Sequence, residues 1–267
     1  TMRTHQRYFT VEGLDGKLLN KFITVANTRP EDPAVVVKGN GRVIRARFSD
    51  AMFFWEEDRK EKLETRLDAL KNVIYQARLG TSFEKVERFT ALAAELAARF
   101  EPAARELTVR AAKLAKCDLE TKMVYEFPEL QGIMGREYAS LEGEAPRVVQ
   151  AIFEHYLPVE AGGALPQDNV GAFVSIADKI DTICGCFGVG LIPTGSADPY
   201  ALRRSAIGIL NILIDRGYRL SIPELVEKSL ELLAAKLTRP RDQVQAEVVE
   251  FIRLRLVNML TGRGIPA

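Results

Sequence analysis

At 267 residues the chain is long enough for two domains or one large one. Hydrophobic residues at 47% and charged residues at 27% are the proportions of a folded globular protein, which excludes a disordered or low-complexity chain. Lys and Arg (37) nearly balance Asp and Glu (36), so bulk charge announces no nucleic-acid partner and any such contact needs a local basic patch.

Residues 1–58 read differently from the rest. Gln6–Val11 and Leu18–Val25 are rich in Tyr, Phe, Val, Ile and Thr and flank Asp15-Gly16, a dipeptide suited to a tight turn, which predicts a β-hairpin. Val35–Lys38 reads as another strand ending at Gly39-Asn40-Gly41, and Arg42–Trp55 fits neither the helical nor the strand period. The first residues run straight into strand-like sequence, so this part is expected to be an α+β remnant of an upstream domain in a longer polypeptide.

Beyond Trp55 the period turns helical. Leu63, Leu67, Leu70, Ile74 and Ala77 fall on one helical face that Gly80 ends. Thr81-x-x-Glu84 is a capping box for the next helix. Pro102, Pro128 and Pro146 suit the first turns of three more. Val170–Phe187 forms another helix, a loop covers Gly188–Pro199, and three helices close the chain over about 200–216, 222–237 and 240–261. The expected architecture is mainly α: a remnant over 1–58, a helical domain over 59–190 and a C-terminal helical extension over 191–267.

Three cysteines argue for a reducing, cytoplasmic compartment and not for a disulfide scaffold. No apolar run nears the roughly 18 residues of a membrane span. With only His5 and His155 in the chain, the C-x-C of Cys184 and Cys186 reads as packed core and not as a zinc site.

The middle of the chain resembles the HD superfamily of helical metal-dependent phosphohydrolases. Ala111–Asp118 sits where such proteins have a helix ending in His-Asp, and Ile152–Tyr156, a Gly-Gly loop and Ile176–Asp181 follow in the same order. Working members hold a metal through several His and Asp side chains and use it to generate hydroxide. Here Cys117 replaces the histidine before Asp118, which leaves a degenerate set of Cys117, Asp118, His155, Asp178 and Asp181. The alternative is structural: Asp118 caps a helix start, Asp178 and Asp181 bond to backbone or to an arginine across a helix junction, and His155 is a hydrogen-bonded core residue. Neither a P-loop nor a nucleotide-binding glycine pattern occurs, so no cofactor is expected in this chain.

Longer motifs carry a second resemblance. Thr1–Phe9, Gly41–Trp55, Lys116–Gly132 and Pro193–Arg204 together resemble the β subunit family of bacterial tetrameric glycyl-tRNA synthetase, across essentially the whole chain. That resemblance implies glycine–tRNA ligase function with ATP used in a separate α subunit. It also implies partners: tRNA(Gly), the α subunit and the remaining β domains. The basic clusters that could meet phosphates are Arg3, His5 and Arg7; Arg42, Arg45 and Arg47; and Arg203 and Arg204, with Tyr8 or Trp55 as a stacking surface. The bland reading of each cluster is a solvated or ion-paired face, and Arg203 or Arg204 could clamp Asp178 or Asp181. An HD-type phosphohydrolase and a protein-interaction module without RNA contact remain the alternatives.

Overall fold

The computed structural model describes residues 7–27, 29–160 and 162–265. The chain divides into two compact units, residues 1–60 with 122–130, and residues 61–121 with 131–267.

In the first unit β1 (Phe9–Glu12) and β2 (Leu18–Ile23) pair antiparallel, with Phe9 opposite Ile23 and Thr10 opposite Phe22. The turn forms at Asp15-Gly16, where Gly16 takes φ +74° and Lys17 N–H donates to Asp15 Oδ1. A single helix, α1 (Pro33–Asp58), follows, and this overturns the strand expected over Val35–Lys38. The reason is local. Asp32 accepts from the Ala34 amide and Pro33 sits at the first helical position, so the helix starts too early for a strand. Asn40 then carries it through two helix-weakening glycines, donating to Val36 O at 2.9 Å and accepting from Tyr8 Oη at 2.5 Å. At its far end the buried Asp58 carboxylate accepts from the amides of Lys122 and Met123, capping the short α4 (Lys122–Glu126).

The second unit is helical. Leu63–Leu67 and Ala69–Asn72 are 3₁₀ turns, and β3 (Ile74–Gln76) pairs with β4 (Gly80–Thr81), where one amphipathic helix was expected. A 3₁₀ turn brings i and i+3 together much as an α-helix does, so Leu67 and Leu70 mimic the helical period. Ile74 lies 72% exposed, outside any buried stripe. The expected capping box is present: Thr81 Oγ1 accepts from Glu84 N–H and Glu84 Oε2 from Thr81 N–H at the start of α2 (Ser82–Phe100). Pro102 opens a 3₁₀ turn into α3 (Arg105–Leu114). α5 (Ile133–Leu141) and α6 (Pro146–Glu154) lead to α7 (Asn169–Gly188), and α8 (Leu202–Arg216), α9 (Ile222–Leu232) and α10 (Arg241–Gly262) complete the unit.

The core sits around α7, which is buried on every side and packs against α2, α3, α6, α8, α9 and α10. Its start is fixed by the fully buried Glu154, which accepts from the amides of Gln167 and Asp168. Gly171 is required there, because a Cβ would fall 2.4 Å from Glu154 Oε2. Among the described residues no helix is long and apolar enough to cross a membrane.

Candidate functional site

Asp178 and Asp181 stand one turn apart on α7, so both carboxylates leave the same face toward α2. On α2, Lys85 and Arg88 repeat that spacing. Lys85 Nζ lies 2.8 Å from Asp178 Oδ1 and 3.2 Å from Asp181 Oδ2, and donates to Thr182 Oγ1 at 2.7 Å. Arg88 takes Asp181 through two bonds, Nε to Oδ1 at 2.7 Å and Nη2 to Oδ2 at 3.2 Å. Lys116, just after α3, reaches Asp178 Oδ2 at 3.0 Å and lies 4.0 Å from the centre of the Tyr156 ring. Burial opposes ionisation of Asp178, yet Lys116 and Lys85 outweigh it and hold the carboxyl well below its usual range. The expected bond from the aspartates to an arginine is therefore made, but by Arg88. Arg203 and Arg204 clamp neither: they donate to Gly195 O and Val159 O.

Asp118 caps a helix start, as expected, though the helix lies 14 residues onward. Its Oδ2 accepts from Gly132 N–H at 2.5 Å and from Gly135 N–H at 3.1 Å at the head of α5. Its Oδ1 is buried without a partner, and burial pushes the carboxyl up to about 6 against the pull of those two amides. Neither glycine leaves room for a side chain: a Cβ on Gly132 would meet Tyr156 at 2.6 Å, and one on Gly135 would meet Ile152 at 2.8 Å and Asp118 Oδ2 at 3.0 Å. His155 is the expected core histidine, fully buried, with Nδ1 2.6 Å from Ile152 O. That bond makes Nδ1 the donor, and burial with Lys116 nearby holds the imidazole well below its usual pKa, so the ring is neutral. Cys117 is buried, its thiol pushed up to about 12 by burial and directed at Lys113 O, so it supplies neither a thiolate ligand nor a nucleophile.

These residues do not fit the divalent metal that the HD resemblance implies. An ammonium group sits against each oxygen of Asp178, where a divalent cation would be repelled, and Asp118 Oδ2 is held by two backbone amides. Among the described residues no three His, Cys, Asp or Glu side chains converge on a place that could hold an ion. The lysines line a cleft of about 220 Å³ together with Tyr75, Ser82, Gln131 and Tyr156. What the arrangement does is tie α2, the end of α3 and α7 together with built-in cations.

The basic candidates fall in separate places. Arg3 and His5 lie outside the described residues; Arg7 is exposed at φ +55°. Tyr8 is 6% exposed and packs edge-on against Phe22 at 5.3 Å, so its ring is engaged in the first unit's small core. Trp55 carries the Arg59 guanidinium over its ring at 5.3 Å. On α1, Arg42 and Arg45 share a face with Lys38 at helical spacings i, i+4 and i+7, whereas Arg47 turns away to Glu126 at 3.4 Å. Lys38 was legible only if this segment was read as a helix. In the second unit, Arg203 and Arg204 open α8.

Comparison with known proteins adds the family. The family model described as glycyl-tRNA synthetase beta subunit matches residues 1–267. The chain is 73% identical over 265 residues to the glycine–tRNA ligase beta subunit of Syntrophotalea carbinolica, covering 99% of this chain and 38% of that protein. It is 65% identical over 263 residues to the corresponding protein of Geobacter metallireducens, covering 98% and 38%. Against that of Trichlorobacter lovleyi it is 62% identical over 267 residues, covering 100% and 39%. The chain thus spans somewhat over a third of the length of these curated relatives.

Proposed function

The chain belongs to the glycyl-tRNA synthetase beta subunit family, and from that membership we propose that it is a helical, tRNA-contacting part of a glycine–tRNA ligase with no reaction centre of its own. Glycine activation with ATP takes place in a separate α subunit; the partners of this part are tRNA(Gly), that subunit and the remaining β domains, in the cytoplasm. One observation carries the absence of chemistry here: the polar centre of the second unit is closed by its own lysines. Asp178 and Asp181 face Lys85, Lys116 and Arg88, and the neighbouring Cys117 and His155 are buried and neutral. A hydrolytic site needs a metal-bound water of lowered pKa, and among the described residues no three His, Cys, Asp or Glu side chains are placed to hold that metal.

Charging assays test the reading. The full-length parent mixed with its α partner is expected to attach glycine to tRNA in an ATP-dependent reaction, and the parent alone is expected to attach none. Failure of the mixture rejects the assignment. Stoichiometric divalent metal in the purified parent, with a phosphatase activity lost on His155→Ala, would replace it with the phosphohydrolase reading.

A further inference from the structure

The 26 residues of α1 divide by charge. From Pro33 to Arg47 the helix carries Lys38, Arg42, Arg45 and Arg47 and no acid, and from Phe48 to Asp58 it carries Asp50, Glu56, Glu57 and Asp58 and no base. Arg47 turns to Glu126. The other three are exposed and stand at i, i+4 and i+7, so they form one row about 10 Å long on a single face. Among the described residues none of the three meets a carboxylate.

A row of this kind costs the helix stability. On a helical surface an acid three or four residues from a base stabilises, and like charges at those spacings repel. The residues three and four away from Lys38, Arg42 and Arg45 include no acid and do include one another. The glycines beside the row add to the cost. The chain's own packing does not call for them: a Cβ would meet nothing within 4 Å at Gly39, and at Gly41 only the Arg45 guanidinium, at 3.6 Å. Gly41 follows Lys38 by three residues and precedes Arg45 by four, so the main chain is bare beside the middle of the row. An anion from outside relieves the repulsion, and a bare main chain lets a backbone strand come close. A protein surface usually interleaves both signs of charge, whereas a nucleic-acid strand carries negative charges alone at regular intervals and suits an unbroken row of cations.

We propose that Lys38, Arg42 and Arg45 form a phosphate-binding row on α1 that receives the sugar–phosphate backbone of the RNA. The row rests on the tRNA-contacting reading above and gives it a location. Contacts of this kind position the RNA and do not read its bases.

The test uses the full-length parent in complex with its α partner and tRNA(Gly), with binding followed as a function of salt. Lys38→Gln, Arg42→Gln and Arg45→Gln are each expected to lower the slope of log affinity against log salt by about one unit and to weaken binding severalfold. Arg47→Gln, on the same helix but turned to Glu126, is the control and is expected to leave the slope unchanged. Each row variant removes a like-charge neighbour, so its unfolding temperature is expected at or slightly above that of the parent. A marked fall would mean that the residue is paired inside the protein and would overturn the row. Wild-type slopes in all three variants, with tRNA binding by the parent intact, would overturn it and leave the tRNA reading standing. No tRNA binding by the parent would remove both. Weakened α-subunit association at an unchanged salt slope would assign the row to a protein contact and overturn the proposal.

Discussion

Asp118 is a carboxylate with one oxygen on two amides and the other buried without a partner. Its folded-state pKa of about 6 lies above the 3.8 of an ordinary aspartate, so between those values the folded chain holds the proton more tightly than the unfolded one. Above about pH 6 the group is ionised in both states and its burial is a penalty of roughly 2–3 kcal/mol; as pH falls through 6 toward 3.8 the penalty fades. Asp118→Asn keeps an oxygen for the Gly132 and Gly135 amides and cannot ionise. The stability of this variant relative to wild type is therefore expected to be most favourable near pH 7 and to decline by that amount toward pH 4, measured by denaturant unfolding across the range. A pH-independent difference would show that the Asp118 carboxyl ionises alike in the folded and the unfolded chain, with no raised pKa. His155 tells the same story in reverse: burial keeps it neutral, and no titration near pH 6 is expected from it.

At the scale of elements, α2 and α7 are joined by charge as well as by packing. Lys85 alone faces Asp178, Asp181 and Thr182, and its ammonium lies 4.7 Å from the Tyr75 ring. A buried ion pair adds little net stability over a well-packed apolar pair, but removing one partner leaves a dry, uncompensated charge. Lys85→Met leaves Asp178 to Lys116 and Asp181 to Arg88, so it is expected to cost about 1–3 kcal/mol in chemical denaturation, and the loss in the double variant with Asp178→Asn is expected to differ from the sum of the two single losses. Simple additivity of the two changes would deny the coupling. Capping works similarly between elements distant in sequence: Asp58 caps α4 and Asp118 caps α5, each from a carboxylate more than ten residues away. Sequence rules for caps find only the local kind, such as Thr81 and Ser221.

Across the whole molecule the two units differ in how much they bury. In the second, α7 is buried along nearly its full length. In the first, Ile44 and Asp58 are the buried residues of the 26-residue α1, and Val35, Val37, Phe48, Met52 and Phe53 are each more than half exposed. Local opening free energy follows buried apolar contact. Amides of β1, β2 and α1 are thus expected to exchange with solvent orders of magnitude faster than those of α7 when this chain is followed by hydrogen exchange and mass spectrometry. Equal protection in α1 and α7 would contradict the link between burial and local stability drawn here.

The sequence by itself determined the helical class, the hairpin at Asp15-Gly16, the Thr81 capping box, the positions of the last four helices and, through long motifs, the family. Resemblance to the HD superfamily grouped Cys117, Asp118, His155, Asp178 and Asp181 as a degenerate set, and the count of two histidines argued against a metal there. Those readings rest on local rules, helical period, turn dipeptides and residue counts, which act within a few residues. Tertiary structure alone decided that Pro33–Asp58 is one helix, that Leu63–Gln76 is 3₁₀ turns and a strand, and that Lys85, Arg88 and Lys116 are the cations on the aspartates. The physical reason is one: a charge or a cap is satisfied by whatever the fold brings within about 3 Å, and chain separation sets no limit on that.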